Sequence, residues 1–215
     1  MKIGGIDEAG RGPVVGPLVI AGISIEKGRI EKLAAFVRDS KMLSAKKREE
    51  IFPLILSLCD KVEVEIISPK EVDRWIKLYK GGLNKLELEF FAKIADRLKV
   101  DIIYVDPCDI NPSRFAEKIK QRITRKVTII SELGADRKYP SVSAASIIAK
   151  VTRDREIEKL KKIYGDIGSG YPSDPKTIAF LKDFYKKYGY FPDIVRKSYK
   201  TVVKIIDEIS RRSLL

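Results

Sequence analysis

Gly5-Ile6-Asp7-Glu8-Ala9-Gly10-Arg11-Gly12-Pro13, followed by Gly16-Pro17, decides how the rest of the chain is read. An apolar, strand-like start runs into two adjacent carboxylates, and a Gly-Arg-Gly turn follows at once. Acids held at a strand end are placed to anchor a hard divalent cation. An arginine between two glycines approaches a phosphate or a sugar with no neighbouring side chain in the way. Taken alone, the segment is explained as well by a hairpin turn with two solvated acids. The turn is longer than a hairpin needs, however, and matching carboxylates recur downstream.

Working outward, five Ile- and Val-rich runs read as strands: Lys2–Asp7, Pro17–Ile25, Val62–Ser68, Asp101–Asp106 and Lys126–Ser131. Helical patterns fill the intervals. Ser44 caps a helix running to about Leu58, with a kink expected at Pro53. Pro69–Leu78, Leu83–Leu98, Pro112–Arg122, Ser141–Tyr164, Pro175–Tyr188 and Ser198–Arg211 follow. In Leu83–Leu98 the residues Leu86, Phe90, Ile94 and Leu98 mark the buried face. The first two strands are close enough to pair antiparallel, whereas the last two are joined by a helix and are expected to be parallel. An α/β fold with a mixed five-stranded sheet and flanking helices results. Gly165–Asp174 is the clearest loop. It divides an expected core, residues 1–164, from an expected loop and basic helical extension, residues 165–215.

Composition narrows the chemistry. The chain has 215 residues, a net charge of +13 and no histidine. Without histidine there is no Ser-His-Asp triad, no Cys-His pair and no imidazole metal ligand or general base. Residues 150–215 hold 16 basic against 9 acidic side chains, more than half of the whole excess. Such a surplus favours a polyanionic partner. Cys59 and Cys108 make neither a metal-ligand spacing nor a disulfide framework. Scarce amides with abundant Lys and Glu resemble the surface of a thermophile's protein. Met1-Lys2 leads straight into a strand, and Val14–Ile25 is too short and too broken by Gly and Pro to span a bilayer. A cytoplasmic, soluble protein with no membrane partner is expected.

Asp7 ends the first strand, Asp106 ends the fourth, and Glu8 lies beside Asp7. Asp136 stands in a loop before the long helix. If the first and fourth strands are parallel neighbours, their acids emerge at one edge. Four carboxylates there repel unless they share a cation. With oxygen ligands only, Mg²⁺ or Mn²⁺ fits better than Zn²⁺. Two such ions about 3.5–4 Å apart activate a water and stabilise the leaving oxygen in phosphodiester hydrolysis. Singly, Asp106 is a strand-ending turn residue and Asp136 a helix cap or an ion-pair partner; Asp154 is the main rival to Asp136, although Arg153-Asp154 reads better as a structural ion pair.

Three further runs bear on binding. Ser141-Val142-Ser143-Ala144-Ala145-Ser146-Ile147-Ile148-Ala149-Lys150 lets a helix start sit tightly on the sheet, with N–H groups, Ser143 and Lys150 available to phosphate oxygens. In Gly168-Ser169-Gly170-Tyr171-Pro172, a tyrosine held between Gly and Pro is placed to stack on a sugar or base. An ordinary surface loop explains that run equally well. Arg38, Lys41, Lys46, Lys47 and Arg48 form a basic cluster, either a solvated face or a contact to backbone phosphate.

In order, G-I-D-E-A-G-R-G-P, D-S-K, Y-V-D, A-D-x-x-Y-P-x-V-S-A-A-S-I-I-A-K-V-x-R-D and G-S-G-Y-P-S-D-P resemble ribonuclease HII, the type 2 ribonuclease H, in its archaeal single-chain form. Arg196-Lys197-Ser198-Tyr199 resembles the family's C-terminal segment. The resemblance implies a ribonuclease H-like fold with sheet order 3-2-1-4-5 and a helical C-terminal extension. It implies endonucleolytic cleavage of RNA in RNA–DNA hybrids, and incision 5′ of a single ribonucleotide in duplex DNA that leaves 3′-hydroxyl and 5′-phosphate ends. It carries the metal-binding catalytic carboxylates to Asp7, Glu8, Asp106 and Asp136. The junction-reading G-R-G falls on Gly10, Arg11 and Gly12, and the loop tyrosine on Tyr171. Lys41 and Lys150 are carried over as phosphate contacts. Many relatives have a basic residue before A-D; here Gly134 takes that place.

Two other readings share part of this pattern. A non-enzymatic basic nucleic-acid binder needs no metal and gives no product, and a ribonuclease H-fold DNA nuclease cuts all-DNA substrates. A monomer is expected. The tail Ser210–Leu215 has neither Gln nor paired aromatics, so no sliding-clamp contact is expected.

Overall fold

The strands β1 (Lys2–Ala9), β2 (Leu18–Glu26), β3 (Lys61–Ile67), β4 (Ile102–Val105) and β5 (Thr128–Ser131) form one sheet in the order β3-β2-β1-β4-β5. A computed structural model describes residues 1–37 and 43–212. β1 pairs antiparallel with β2 and parallel with β4, and β4 is parallel to β5. β1 runs two residues beyond Asp7, because Asp7, Glu8 and Ala9 continue the ladder opposite Ala21, Ile20 and Val19.

The helices are α1 (Ile30–Val37), α2 (Ala45–Leu58), α3 (Pro69–Leu78), α4 (Gly82–Leu98), α5 (Pro112–Lys120), α6 (Ala135–Lys138), α7 (Pro140–Tyr164), α8 (Pro175–Tyr188) and α9 (Lys200–Arg212). α1 was not marked by the sequence pattern, although Leu33 and Val37 bury one face of it. α6 stands where the sequence suggests a loop. α2 is continuous through Pro53, with the Ser44 hydroxyl accepting from Lys47 N at 3.2 Å as its cap. In α4 the buried face passes through Phe91 and not through Phe90, and Phe91 meets Phe115 edge-on.

The chain folds as two compact units, each assembled from separated segments. One comprises residues 1–9, 19–66 and 84–152; the other comprises 10–18, 67–83 and 153–215. A single cut after Tyr164 therefore does not describe how the chain packs.

In the first unit β2 is buried from Val19 to Ile25, as expected of a strand covered on both faces. A side chain at Gly22 would meet Ile94 at 2.4 Å, so α4 lies directly on β2. The start of α7 lies as closely on β1. A Cβ at Gly5 would stand 2.2 Å from the Ser141 carbonyl carbon, and the Ser141 hydroxyl donates to Gly4 O at 3.2 Å. Residues 141–149 are buried without a break, and this explains their smallness.

The second unit has its own apolar cluster, which includes Val14, Val15, Ile157, Ile167, Leu181, Phe191, Val195, Val202 and Ile205. Val15 bridges Val195 antiparallel, and Arg196 N donates to Val14 O. The buried Asp73 carboxylate accepts from Lys197 N, Ser198 N and the Ser198 hydroxyl, which ties α3 to the segment before α9.

Candidate active site

Within the first unit, parallel pairing sets Ile6 opposite Val105, so that Asp7 and Asp106 are the next residues on two adjacent strands. Both emerge at one edge, as the strand arrangement requires. Asp7 is buried. Burial pushes its carboxyl up to about 7, and the charge of Asp106 acts in the same direction; hydrogen bonds from the Ser146 hydroxyl and the Glu8 backbone, and the charge of Lys150, pull it down. Lys150 Nζ in turn donates to Ser146 Oγ at 2.8 Å. Lys150, expected at a phosphate, thus stands behind Asp7 through a serine one helical turn earlier.

Asp106 is linked to the segment that carries Asp136. Gly134 N donates to Asp106 Oδ1 at 3.2 Å, and Gly134 holds φ 69° as it starts α6. A left-handed backbone favours glycine here, although a Cβ would meet nothing within 4 Å. Asp136, in the first turn of α6, is buried. The Tyr139 ring stacks on Tyr104 at 4.0 Å, and its hydroxyl donates to Glu132 at 2.8 Å, which fixes the far end of α6 against β4.

Glu8 is half-buried. Successive side chains of a strand leave on opposite faces, so Glu8 must turn back to join Asp7. In keeping with this, no three His, Cys, Asp or Glu side chains among the described residues form a ready metal cage. The donors themselves fit a hard divalent cation: they are carboxylate oxygens, and Asp7 is desolvated beside the charge of Asp106. Ser143 does not face a ligand. It is buried, and its hydroxyl donates to Val37 O at 2.7 Å. Lys41, with Arg38, Asp39 and Ser40, lies outside the described residues.

Within the second unit, Gly10 has φ 89°, and a Cβ there would meet Pro17 O at 2.6 Å and Arg153 Cδ at 2.8 Å. Backbone conformation and crowding both require glycine. A Cβ at Gly12 would meet only the Tyr171 ring, at 3.6 Å, which places the tyrosine beside the G-R-G segment. Tyr171 is 40% exposed. Its loop is held from within: Val14 N donates to Gly170 O at 2.8 Å, Gly170 N to Thr177 Oγ1 at 2.9 Å, and Ser169 N to Asp174 Oδ2 at 2.7 Å. Buried Arg153 lies 5.0 Å from the Tyr171 ring centroid, and its Nη2 donates to Ser169 O at 2.9 Å. Burial draws its guanidinium below the ordinary value; Tyr171 and Asp154 oppose this, and Arg196 adds to it. The Arg153–Asp154 pair is present at 3.7 Å.

A model of one family, ribonuclease HII, matches residues 4–202. The chain belongs to the ribonuclease HII family. Ribonuclease HII of Thermococcus sibiricus is 50% identical over 214 residues, covering 98% of this chain and 94% of that protein. The ribonuclease H2 structure from Pyrococcus horikoshii is 48% identical, covers 98% of this chain and 100% of that one, and superposes with a TM-score of 0.92. Ribonuclease HII of Archaeoglobus fulgidus, solved in complex with PCNA, is 43% identical, covers 94% and 96%, and superposes with a TM-score of 0.84.

As a ribonuclease HII the chain is a metal-dependent endoribonuclease of the type acting on RNA–DNA hybrids and on duplex DNA that contains ribonucleotides. The sheet order implied by the resemblance is the one observed. No described helix is long and apolar enough to cross a membrane. The sequence pattern did not mark Ser146 behind Asp7 in the first unit or, in the second, Arg153, Thr177, Arg196 and Tyr199 as supports of the Gly10–Gly12 and Tyr171 segments. Ser146 and Lys150 had a readable signal, a serine and a lysine at helical i,i+4 spacing. Arg196 and Tyr199 stand in the Arg-Lys-Ser-Tyr run, but nothing local names their partners, which include the carbonyls of Gly10 and Arg11, 186 and 188 residues away.

Proposed function

We propose that Asp7, Glu8, Asp106 and Asp136 hold Mg²⁺ or Mn²⁺, and that the enzyme incises 5′ of a ribonucleotide in duplex DNA, leaving 3′-hydroxyl and 5′-phosphate ends. The observation that carries this is the register of β1 and β4, which delivers Asp7 and Asp106 to one sheet edge with Asp7 desolvated. Divalent cations at this edge supply the charge that a histidine-free chain otherwise lacks for activating water and stabilising a leaving oxygen. The chain's own part is orientation. The Lys150–Ser146 pair aims the Asp7 carboxylate, and Gly134 N–H holds one oxygen of Asp106.

Gly10, Arg11, Gly12 and Tyr171 are proposed to contact the ribose and the next sugar. The exposed tyrosine beside a glycine that leaves room supports this reading. The enzyme is read as a monomer. The expectation of no sliding-clamp contact concerned Ser210–Leu215, of which residues 213–215 lie outside the described residues.

The test uses a labelled DNA duplex with a single ribonucleotide beside an all-DNA duplex, with Mg²⁺ and with excess chelator. Cleavage of the first only, abolished by chelator, is expected. Cutting of all-DNA duplex indicates a DNA nuclease, and binding with no product indicates a non-enzymatic binder.

A further inference from the structure

Arg196 is the largest fully buried side chain, at 0% exposure. Its partners are unusual for a buried cation. Nε donates to Gly16 O at 3.2 Å, Nη1 to Arg11 O at 3.1 Å and to Tyr199 Oη at 2.8 Å, and Nη2 to Gly10 O at 2.6 Å and to Gly16 O at 3.1 Å. These bonds use all the N–H groups that a guanidinium has. Tyr199 in turn donates its phenol proton to Arg11 O at 2.7 Å. Desolvating a guanidinium is costly, and an apolar side chain fills such a space at lower cost. What the guanidinium adds is direction: it fixes where three carbonyls of the Gly10–Gly16 segment point.

That direction has a consequence for the other side of each peptide. All the described peptide bonds are trans. In a planar trans peptide the C=O of one residue and the N–H of the next point opposite ways. With Gly10 O and Arg11 O drawn to Arg196, the N–H groups of Arg11 and Gly12 are turned away from it. Gly12 is exposed, so its N–H is turned towards the open side of the segment. Successive N–H groups turned the same way make a concave site for a single oxygen.

We propose that Arg196, assisted by Tyr199, is a positioning residue for ribonucleotide recognition, because it orients the Gly10–Gly12 backbone towards the ribose 2′-oxygen. This rests on the reading that Gly10–Gly12 contact that ribose. Lysine cannot replace Arg196, since an ammonium has three donors on a flexible stem and no planar fork to span three carbonyls.

The experiment measures the affinity for a single-ribonucleotide duplex and for the same duplex in all-DNA form, without divalent cation so that neither is cut, together with the melting temperature, for Tyr199→Phe, Arg196→Lys and Gly12→Ala. Tyr199→Phe removes two bonds, the one to Arg11 O and the one accepted from Arg196 Nη1, and keeps the ring 5.3 Å from the Arg196 guanidinium. A methyl at Gly12 meets only ordinary contact with Tyr171 in the free protein, so any effect it has arises with substrate. The expected result is a fall in the ratio of affinity for the single-ribonucleotide duplex to that for the all-DNA duplex, roughly three- to tenfold for Tyr199→Phe and more for Arg196→Lys, with Tyr199→Phe still folded at the assay temperature. A merely structural role lowers stability and leaves that ratio alone. An unchanged ratio in Tyr199→Phe, alongside a lowered ratio in Gly12→Ala, overturns the positioning role while the reading of Gly10–Gly12 stands. An unchanged ratio in Gly12→Ala overturns that reading and the inference with it. Should Arg196→Lys fail to fold, Tyr199→Phe decides.

Discussion

Replacing Asp7 by asparagine separates the fold from the chemistry. Asn fills the same space and carries no charge to desolvate, so the metal-free variant should melt at or above the wild-type temperature. It should also lose the rise in melting temperature that Mg²⁺ gives the wild type, because a ligand that binds only the folded state stabilises it by mass action. Activity should fall by more than about a hundredfold, beyond the range usual for residues that only support a metal ligand. Ser146→Ala should fall within that range, about ten- to hundredfold, since it removes the hydroxyl between Lys150 and Asp7 and no ligand. Asp154→Asn should be milder than Asp136→Asn, and the reverse order would exchange their roles. At this scale the placement of Asp7 and Asp106 at one sheet edge was legible from the strand pattern. Gly134 was not. Its identity follows from a left-handed backbone, which is not written in the sequence around it.

Elements meet at two points where a single atom decides the packing. At the crossing of β1 and α7, Gly5→Ala places a methyl 2.2 Å from the Ser141 backbone, and backbone cannot swing aside. The loss of stability should reach or exceed the roughly 1–3 kcal/mol usual for overpacking, as read by denaturant unfolding. In the first turn of α8, buried Thr177 holds the preceding loop by accepting from Gly170 N and donating to Ile167 O at 3.0 Å. Thr177→Val keeps the shape and leaves both groups unmet, at a cost of about 1–3 kcal/mol. Asp174 closes the same loop and caps α8. Hydrogen bonds from Ser169, then from Lys176 N, hold its carboxyl below the ordinary 3.8. A lowered folded pKa gives stability that is present above 3.8 and lost as pH falls through the folded value. Local protection of the Ser169 amide against hydrogen exchange should therefore weaken on acidification below about 4, and Asp174→Asn should remove that dependence. The long helices and all five strands were legible to within a few residues from their periodicity. The loop reads in sequence as generic because its order comes from Thr177 and Arg153, outside the Gly-Pro run that draws the eye.

At the scale of the whole chain the surplus of positive charge is legible at once, whereas the segments that pack together are not. Units built from residues 10–18, 67–83 and 153–215 have no common sequence signal, because their cohesion lies in bonds such as Asp73 to Ser198 that local patterns do not encode. This affects how the basic C-terminal region is tested. α9 buries Val202 and Ile205 in the core of its unit, so deleting it would remove core and charge together. Its exposed face carries Lys200, Lys204 and Arg211, which can be changed without touching that core. If these side chains track the duplex backbone, each releases counterions on binding, and the slope of log affinity against log salt steepens by about 0.9 per phosphate neutralised. Lys200→Gln, Lys204→Gln and Arg211→Gln combined should then flatten the slope by as much as about 2.7 units on B-form duplex, weaken hybrid and all-DNA duplex alike, and leave the melting temperature near wild type. Titrations at several salt concentrations with a catalytically silent Asp7→Asn background read this directly, without cleavage. An unchanged slope in a folded triple variant means that the duplex lies on another basic surface, and the charge of α9 then serves solubility alone.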